Sequence, residues 1–282
     1  MENLDALIFI DTNILLDFYR IRNSDVKLSY LDLIDKNHDR IITGSQVEME
    51  YKKNRQVVIK ESIGQIKIPN WNTLTPPALL QKSQPVKIIE DSKLEIKKQQ
   101  SKLRERIVNI LSEPGSKDEV YKVLQRLFKN ESNWNLNRKN KIRFTVRNLA
   151  KKRFILGYPP RKKDDNSIGD AVNWEWIIQC AKESKKDIII VTRDSDFGIN
   201  YDNKMFLNDF LNLEFKERIS RKRKIVLTDR LGNAFKMISL AVTQEMEDAE
   251  DELISDNLKR KRHQEEEVEK IIYEIESQVI KK

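Results

Sequence analysis

Cysteine and histidine are nearly missing from this chain: Cys180 is the only thiol, and His38 and His263 are the only imidazoles among 282 residues. A single thiol cannot form an intrachain disulfide, and so few soft ligands leave no basis for a Cys/His zinc site. Long apolar runs are also missing, and none approaches the roughly 18 residues that a membrane-spanning helix needs. The opening MENLDALIFID is acidic where a signal peptide is basic and carries no cleavage site, so a soluble cytoplasmic protein is expected. Charge, by contrast, is abundant. Charged residues make up 35% of the chain and hydrophobic ones 39%, enough to bury a core under a heavily solvated surface.

The net charge of +8 conceals a segregation. Residues 1–50 carry −5, residues 51–163 carry +19, and residues 164–282 carry −6. A basic centre between acidic flanks is the electrostatic footprint of a polyanion partner, nucleic acid above all.

Hydrophobic patterning points to an α/β protein. Ala6–Ile10 (ALIFI) and Asp187–Thr192 (DIIIVT) are continuous apolar runs, as expected of parallel strands covered on both faces. Asp39–Thr43 and Lys224–Thr228 are two further strands, and helices are expected over 14–19, 25–34, from 46 onward, from Asp170 and over 230–242. Alternation of strand and helix implies a parallel sheet flanked by helices. Between residues 56 and 155 no strand is evident, and charged helices over 88–111 and 119–128 suggest a basic helical insertion packed as a hairpin. The chain then divides into an α/β domain (1–55 and 156–244), the insertion (56–155) and a charged helical tail (245–282) free to pack back, pair or fray. Lys259–Arg262 within the tail is a solvated helix face rather than a localisation signal.

Three acidic positions stand out. Asp11 directly follows the first buried strand, and Asp194 lies two residues past the strand that ends in Thr192. In open parallel sheets ligands bind outside the carboxyl ends of the strands. Asp170 begins the helix that leads into that second strand, with Asn173 on the same face. Any one of these could be a turn or helix cap. Together they would converge in one crevice, where carboxylates repel one another unless a cation compensates them. Oxygen ligands favour a hard divalent ion, and Mg²⁺ suits a few carboxylates together with substrate phosphate.

At these residues the sequence resembles PIN-domain nucleases, and within them bacterial PIN-like proteins with a large helical insertion. IFIDTNILLDFYR is similar to their opening strand and turn, SQVEMEYKKNR to their second acidic motif, and VTRDSDF to their T-x-D-x-D-F segment. Gly157-Tyr158-Pro159-Pro160 ahead of Gly169-Asp170, and KERISRKRKIVLTDRLGNAF, also match. The resemblance spans residues 4–55 and 155–243. It implies a PIN-like, Rossmann-like fold and an acidic set of Asp11, Glu50, Asp170 and Asp194, with Asp196 as a supporting or second-metal ligand. Glu50 rather than Glu48 is implied because it precedes an aromatic residue, Tyr51. Asn13, Asn173 and Thr192 would orient the carboxylates by hydrogen bonds. One departure is Arg193, where relatives carry an acid; it lowers the local negative charge and could contact phosphate.

The activity implied is a phosphodiesterase using one or two Mg²⁺ or Mn²⁺ ions, chiefly an endoribonuclease leaving 5′-phosphate and 3′-hydroxyl ends. A toxin or phage-defence effector is its expected setting. The alternatives are a DNA or flap nuclease, a non-catalytic nucleic-acid-binding or scaffold protein on the same fold, and an oligomerisation or regulatory module built on the C-terminal helix.

From Ser132 to Lys163 there is no acid against 11 Lys/Arg. Arg138, Lys139, Lys141, Arg143 and Arg147 form the first part of an expected nucleic-acid-binding arm. Lys151, Lys152, Arg153, Arg161, Lys162 and Lys163 form the second, leading towards Asp170. Trp134, Phe144, Phe154 and Tyr158 are interleaved with these cations. Phe144, Leu149 and Phe154 are expected in the core rather than against bases, so the cations would carry the contact.

Overall fold

A computed structural model describes residues 3–64, 66, 70, 71, 75–161, 167–202 and 204–280, with side chains of the last helix described only in part beyond Arg260. Its centre is a five-stranded, fully parallel sheet. The strands are β1 (Ala6–Ile10), β2 (Ile41–Gly44), β3 (Asn135–Leu136), β4 (Asp187–Val191) and β7 (Ile225–Thr228), in spatial order β3-β2-β1-β4-β7. The α/β class and the PIN-like arrangement expected from the sequence are both present. Every residue of β1 is buried, as are Ile188–Val191 of β4, which is why these strands show no alternation.

Strand order reverses between β1 and β4, where the crossovers on either side leave in opposite directions. The register there sets Ile10 opposite Val191, so the next residue on each strand, Asp11 and Thr192, emerges side by side at the carboxyl edge.

Helices α1 (Thr12–Asp17), α2 (Ser24–Lys36) and α3 (Ser45–Gly64) follow β1 and β2. Helices α4 (Gln84–Ser112), α5 (Pro114–Lys117), α6 (Glu119–Lys129) and α7 (Arg143–Leu156) fill the basic segment. Arg55 of α3 donates to the Ile110 carbonyl and Arg104 of α4 to the Ile66 carbonyl, so α4 runs antiparallel to α3 and its continuation. The basic segment also supplies β3, which had not been expected. Two residues are too short to display a period, and the pairing Thr43↔Asn135 and Gly44↔Leu136 is a tertiary fact.

Helix α8 (Gly169–Ser184) buries eleven of its residues on every side, because it packs against both α7 and β4. Its Trp176 indole donates to the Thr43 carbonyl, tying α8 to β2. After β4 the chain makes an antiparallel hairpin, β5 (Gly198–Tyr201) and β6 (Lys204–Leu207), and then α9 (Asp209–Arg218), none of them apparent in the sequence. The closing helix α10 (Leu231–Met237) is shorter than expected, ending before Ser239 in a left-handed conformation.

Helix α11 (Gln244–Ile280) packs its first turns on α2 and α10, burying Met246, Glu250 and Leu253. No helix among the described residues is long and apolar enough to cross a membrane.

Candidate metal centre and nucleic-acid surface

Asp11 ends the turn out of β1 and caps α1. Its Oδ1 accepts the Thr12 N–H at 2.6 Å. Its Oδ2 accepts the Asn13 amide at 2.9 Å and the Thr192 hydroxyl at 2.5 Å. Thr192 is the hub of the arrangement, because its Oγ1 also accepts the Asn13 amide at 3.2 Å and the Asp194 N–H at 3.0 Å. One hydroxyl therefore couples the end of β1 to the end of β4 and orients the loop that carries Asp194. Asn13 and Thr192 both donate to the Asp11 carboxylate, the kind of contact that holds a carboxylate in position.

Glu50 arrives from α3. Its Oε2 accepts the Thr12 hydroxyl at 3.1 Å and its Oε1 accepts the Gln46 amide at 2.6 Å, one helical turn back. It also abuts the start of α8: a Cβ on Gly169 would lie 2.2 Å from Glu50 Oε1. Asp170, the next residue, sits half-buried in the first turn of α8, and Asp196 is half-buried in the turn after β4. Asn173, one turn beyond Asp170, is buried with its amide nitrogen lacking a partner among the described residues.

Burial above all, then the negative charges of Asp194 and Glu50, raise the Asp11 carboxyl from 3.8 to about 7 against the hydrogen bonds from Thr192 and Thr12. Asp194 and Glu50 are thus both close enough for their charge to act on Asp11. Among the described residues no three His, Cys, Asp or Glu side chains are drawn into a ready-made metal cluster. The donor chemistry nevertheless fits a hard cation. The side chains gathered here offer carboxylate oxygens, and Asn13 Oδ1 is a buried acceptor without a protein partner among the described residues.

Arg193 does not supply the compensation. Its guanidinium turns away from the carboxylates to pair with Asp17 of α1 and, at 3.5 Å, with Glu250 of α11. Its expected contact with phosphate is therefore corrected: the side chain is an internal tie. The four-residue step from Gln46 to Glu50 already placed those two on one helix face, whereas sequence reasoning missed Thr12, which donates to Glu50, and Asp229, which follows β7 and accepts the Asn200 amide at 3.1 Å. Asp229 obeys the same strand-end rule as Asp11 and could have been found by it.

The basic arm divides in two. Lys139, Lys141, Arg147, Lys151 and Lys152 are exposed, as is Arg138, and Arg143 is half-buried. Arg161 is exposed and lies over the Phe154 ring at 4.7 Å. Arg153 belongs elsewhere. At 4% exposure it pairs with Glu175 at 3.0 Å and with Glu214, and donates to the Pro159 carbonyl. It braces α7 against α8 and α9 and is removed from the nucleic-acid surface. Lys162 and Lys163 lie outside the described residues. Phe144 is 57% exposed and Leu149 is also on the surface, which corrects their expected place in the core. Phe144 instead carries the Arg143 guanidinium on its ring at 4.6 Å.

A parallel sheet with interacting carboxylates at its switch point and a basic surface alongside defines a protein of the metal-dependent nuclease class, which acts on nucleic acid. The chain belongs to the PIN-domain family, whose model matches residues 8–197, from within β1 to the turn after β4. Members of that family are in general divalent-metal-dependent phosphodiesterases. No curated protein and no solved structure matches the chain.

Proposed function

We propose that this chain is an endoribonuclease that hydrolyses phosphodiester bonds to 5′-phosphate and 3′-hydroxyl ends. Asp11, Glu50, Asp170 and Asp194 would hold one or two Mg²⁺ or Mn²⁺ ions, with Asp196 in support. When bound, such an ion acidifies a water and offsets charge on the scissile phosphate. The chain's own part is placement. Thr192 and Asn13 fix both Asp11 and the Asp194 loop, Thr12 and Gln46 fix Glu50, and Gly169 lets Glu50 approach α8. The basic surface counters the repulsion that a carboxylate cluster exerts on a polyanion.

The observation that carries this reading is the geometry of the β1/β4 switch point, where the Thr192 hydroxyl joins Asp11 to the Asp194 loop and Thr12 joins Asp11 to Glu50. Burial first, and then the charges of Asp194 and Glu50, raise the Asp11 carboxyl there. The preference for RNA, and the setting in a toxin or phage-defence effector, stand on the family resemblance alone. The test is cleavage of a mixed single-stranded RNA pool and a matched DNA pool in Mg²⁺ and in Mn²⁺. RNA cleavage abolished by EDTA and by Asp194→Asn is the expected result. Cleavage restricted to DNA would replace the substrate assignment, and an Asp194→Asn protein as active as the parent would remove the site.

A further inference from the structure

The exposed arginines of the basic segment are not spread evenly. Arg143 and Arg147 stand one turn apart on α7 and Arg138 precedes that helix. With Ser45, Gln46 and Met49 of α3 they line a cavity of about 350 Å³. The sheet brings them there. β3 pairs with β2 so tightly that a Cβ on Gly44 would lie 2.9 Å from Leu136 Cβ. The two strands are parallel, so both chains leave at the carboxyl edge. Two residues past Gly44 stands Gln46, and two past Leu136 stands Arg138.

Most internal arginines of this protein are paired: Arg55 with Asp118, Arg153 with Glu175, Arg193 with Asp17, and Arg218 with Glu175. Among the described residues Arg138, Arg143 and Arg147 meet no carboxylate, and Arg143 Nε is buried without a hydrogen-bond partner. Three uncompensated guanidiniums facing one concavity repel one another, and a phosphate relieves that repulsion while accepting forked hydrogen bonds. The opening turn of the 20-residue helix α3 forms the opposite wall and adds the positive end of its dipole.

Gln46 belongs to two places at once. It lines the cavity and it donates to Glu50 Oε1 at 2.6 Å. The cavity and Glu50 are therefore separated by the one side chain of Gln46. We infer that the Arg138–Arg143–Arg147 cavity is a phosphate subsite for the substrate strand, holding an internal backbone phosphate beside the one presented to the carboxylates. This inference rests on the proposed nuclease reading for its setting. Its chemistry, capture of a phosphate by three arginines, stands on the cavity itself.

The test is binding without cleavage. The full chain in EDTA is titrated by fluorescence anisotropy with a single-stranded RNA oligonucleotide carrying either a 5′-phosphate or a 5′-hydroxyl, across a salt series. Arg143→Gln/Arg147→Gln is expected to weaken binding about tenfold and to lower the salt slope by about 0.7, the value for one phosphate contact on a single strand. The charge-preserving Arg143→Lys/Arg147→Lys is expected to keep the slope but lose part of the affinity, since a lysine cannot form the fork. Should the glutamine pair fail to fold, this lysine pair decides alone, by its lower affinity at unchanged slope. Equal affinity for the two oligonucleotides is expected. Binding that requires the 5′-phosphate, or inorganic phosphate that fully displaces the strand, would overturn the backbone assignment. An equal loss from Lys97→Gln/Lys98→Gln on α4 would overturn the subsite, because attraction would then be diffuse. No metal and no turnover enter the readout, so failure of the subsite leaves the nuclease reading standing, and an inactive parent protein leaves the subsite standing.

Discussion

Asp11 is pulled in two directions. Its place at the switch point demands a carboxylate, yet burial and the charges of Asp194 and Glu50 favour its protonated form. Its folded value of about 7 lies above the 3.8 of the unfolded chain, so between these values the folded state holds more proton. The contribution of Asp11 to the stability of the metal-free protein is then fully present below pH 3.8 and is lost as pH rises through about 7. At 1.36 kcal/mol per pH unit that window amounts to about 4 kcal/mol. Urea unfolding in EDTA at pH 5 and pH 8 should show the decline, and Asp11→Asn should flatten it while reducing cleavage about a hundredfold or more. Equal pH dependence in parent and variant would contradict this account of the site. Arg153 gives the opposite case. Replacing it with Ala should cost about 2–3 kcal/mol, because Glu175 and Glu214 would lose one of their two arginines and keep only Arg218 against their charge. The salt slope of RNA binding should not change, whereas a lowered slope would return Arg153 to the surface arm. Strand-end position made Asp11 and Asp194 legible in the sequence. Nothing in a run of Lys and Arg says which cation turns inward, so Arg153 and Arg193 were misplaced.

At the scale of elements, helix α8 depends on a close approach. Gly169 faces Glu50 Oε1 and Gln46 Nε2, both at the ends of flexible side chains rather than on fixed backbone. Gly169→Ala should therefore shift melting by little, under about 1 kcal/mol. It should nonetheless depress metal-dependent cleavage, because Glu50 must move. A Gly169→Ala protein with unimpaired turnover would show that Glu50 is not held where catalysis needs it. The buried strands β1 and β4 and the helices α2, α3, α4, α6 and α8 were readable, since each is long or apolar enough to display a period or a run. β3, the β5–β6 hairpin and α9 were not. β3 has two residues, and the hairpin exposes Ile199, Tyr201 and Phe206, so its burial pattern carries no signal.

Across the whole molecule, α11 is part of the fold that supports the site. Glu250 accepts the Leu231 and Gly232 N–H groups at 2.6 and 3.0 Å, capping α10, and meets Tyr30 and Arg193. Arg193 immediately precedes Asp194, so the C-terminal helix reaches to within one residue of the carboxylate set. A chain ending at Gln244 loses Met246, Glu250 and Leu253 and should be destabilised by at least about 3 kcal/mol, with cleavage impaired. A chain ending at Lys259 keeps those contacts and should melt like the full protein. Thermal unfolding of the two decides the matter, and equal melting temperatures would mean that α11 contributes no stability.

By itself the sequence determined the α/β class, the strand ends that carry Asp11 and Asp194, the basic centre of the chain and the near absence of soft metal ligands. All of these follow from residue type and local period. Only the tertiary structure decided which arginines are buried ties and which face a cavity, that β3 delivers the basic segment to the carboxyl edge of β2, and that Thr192 and Gln46 link distant segments. Those relations join residues as many as 181 positions apart, and such contacts are fixed by packing and sheet register, which leave no local trace.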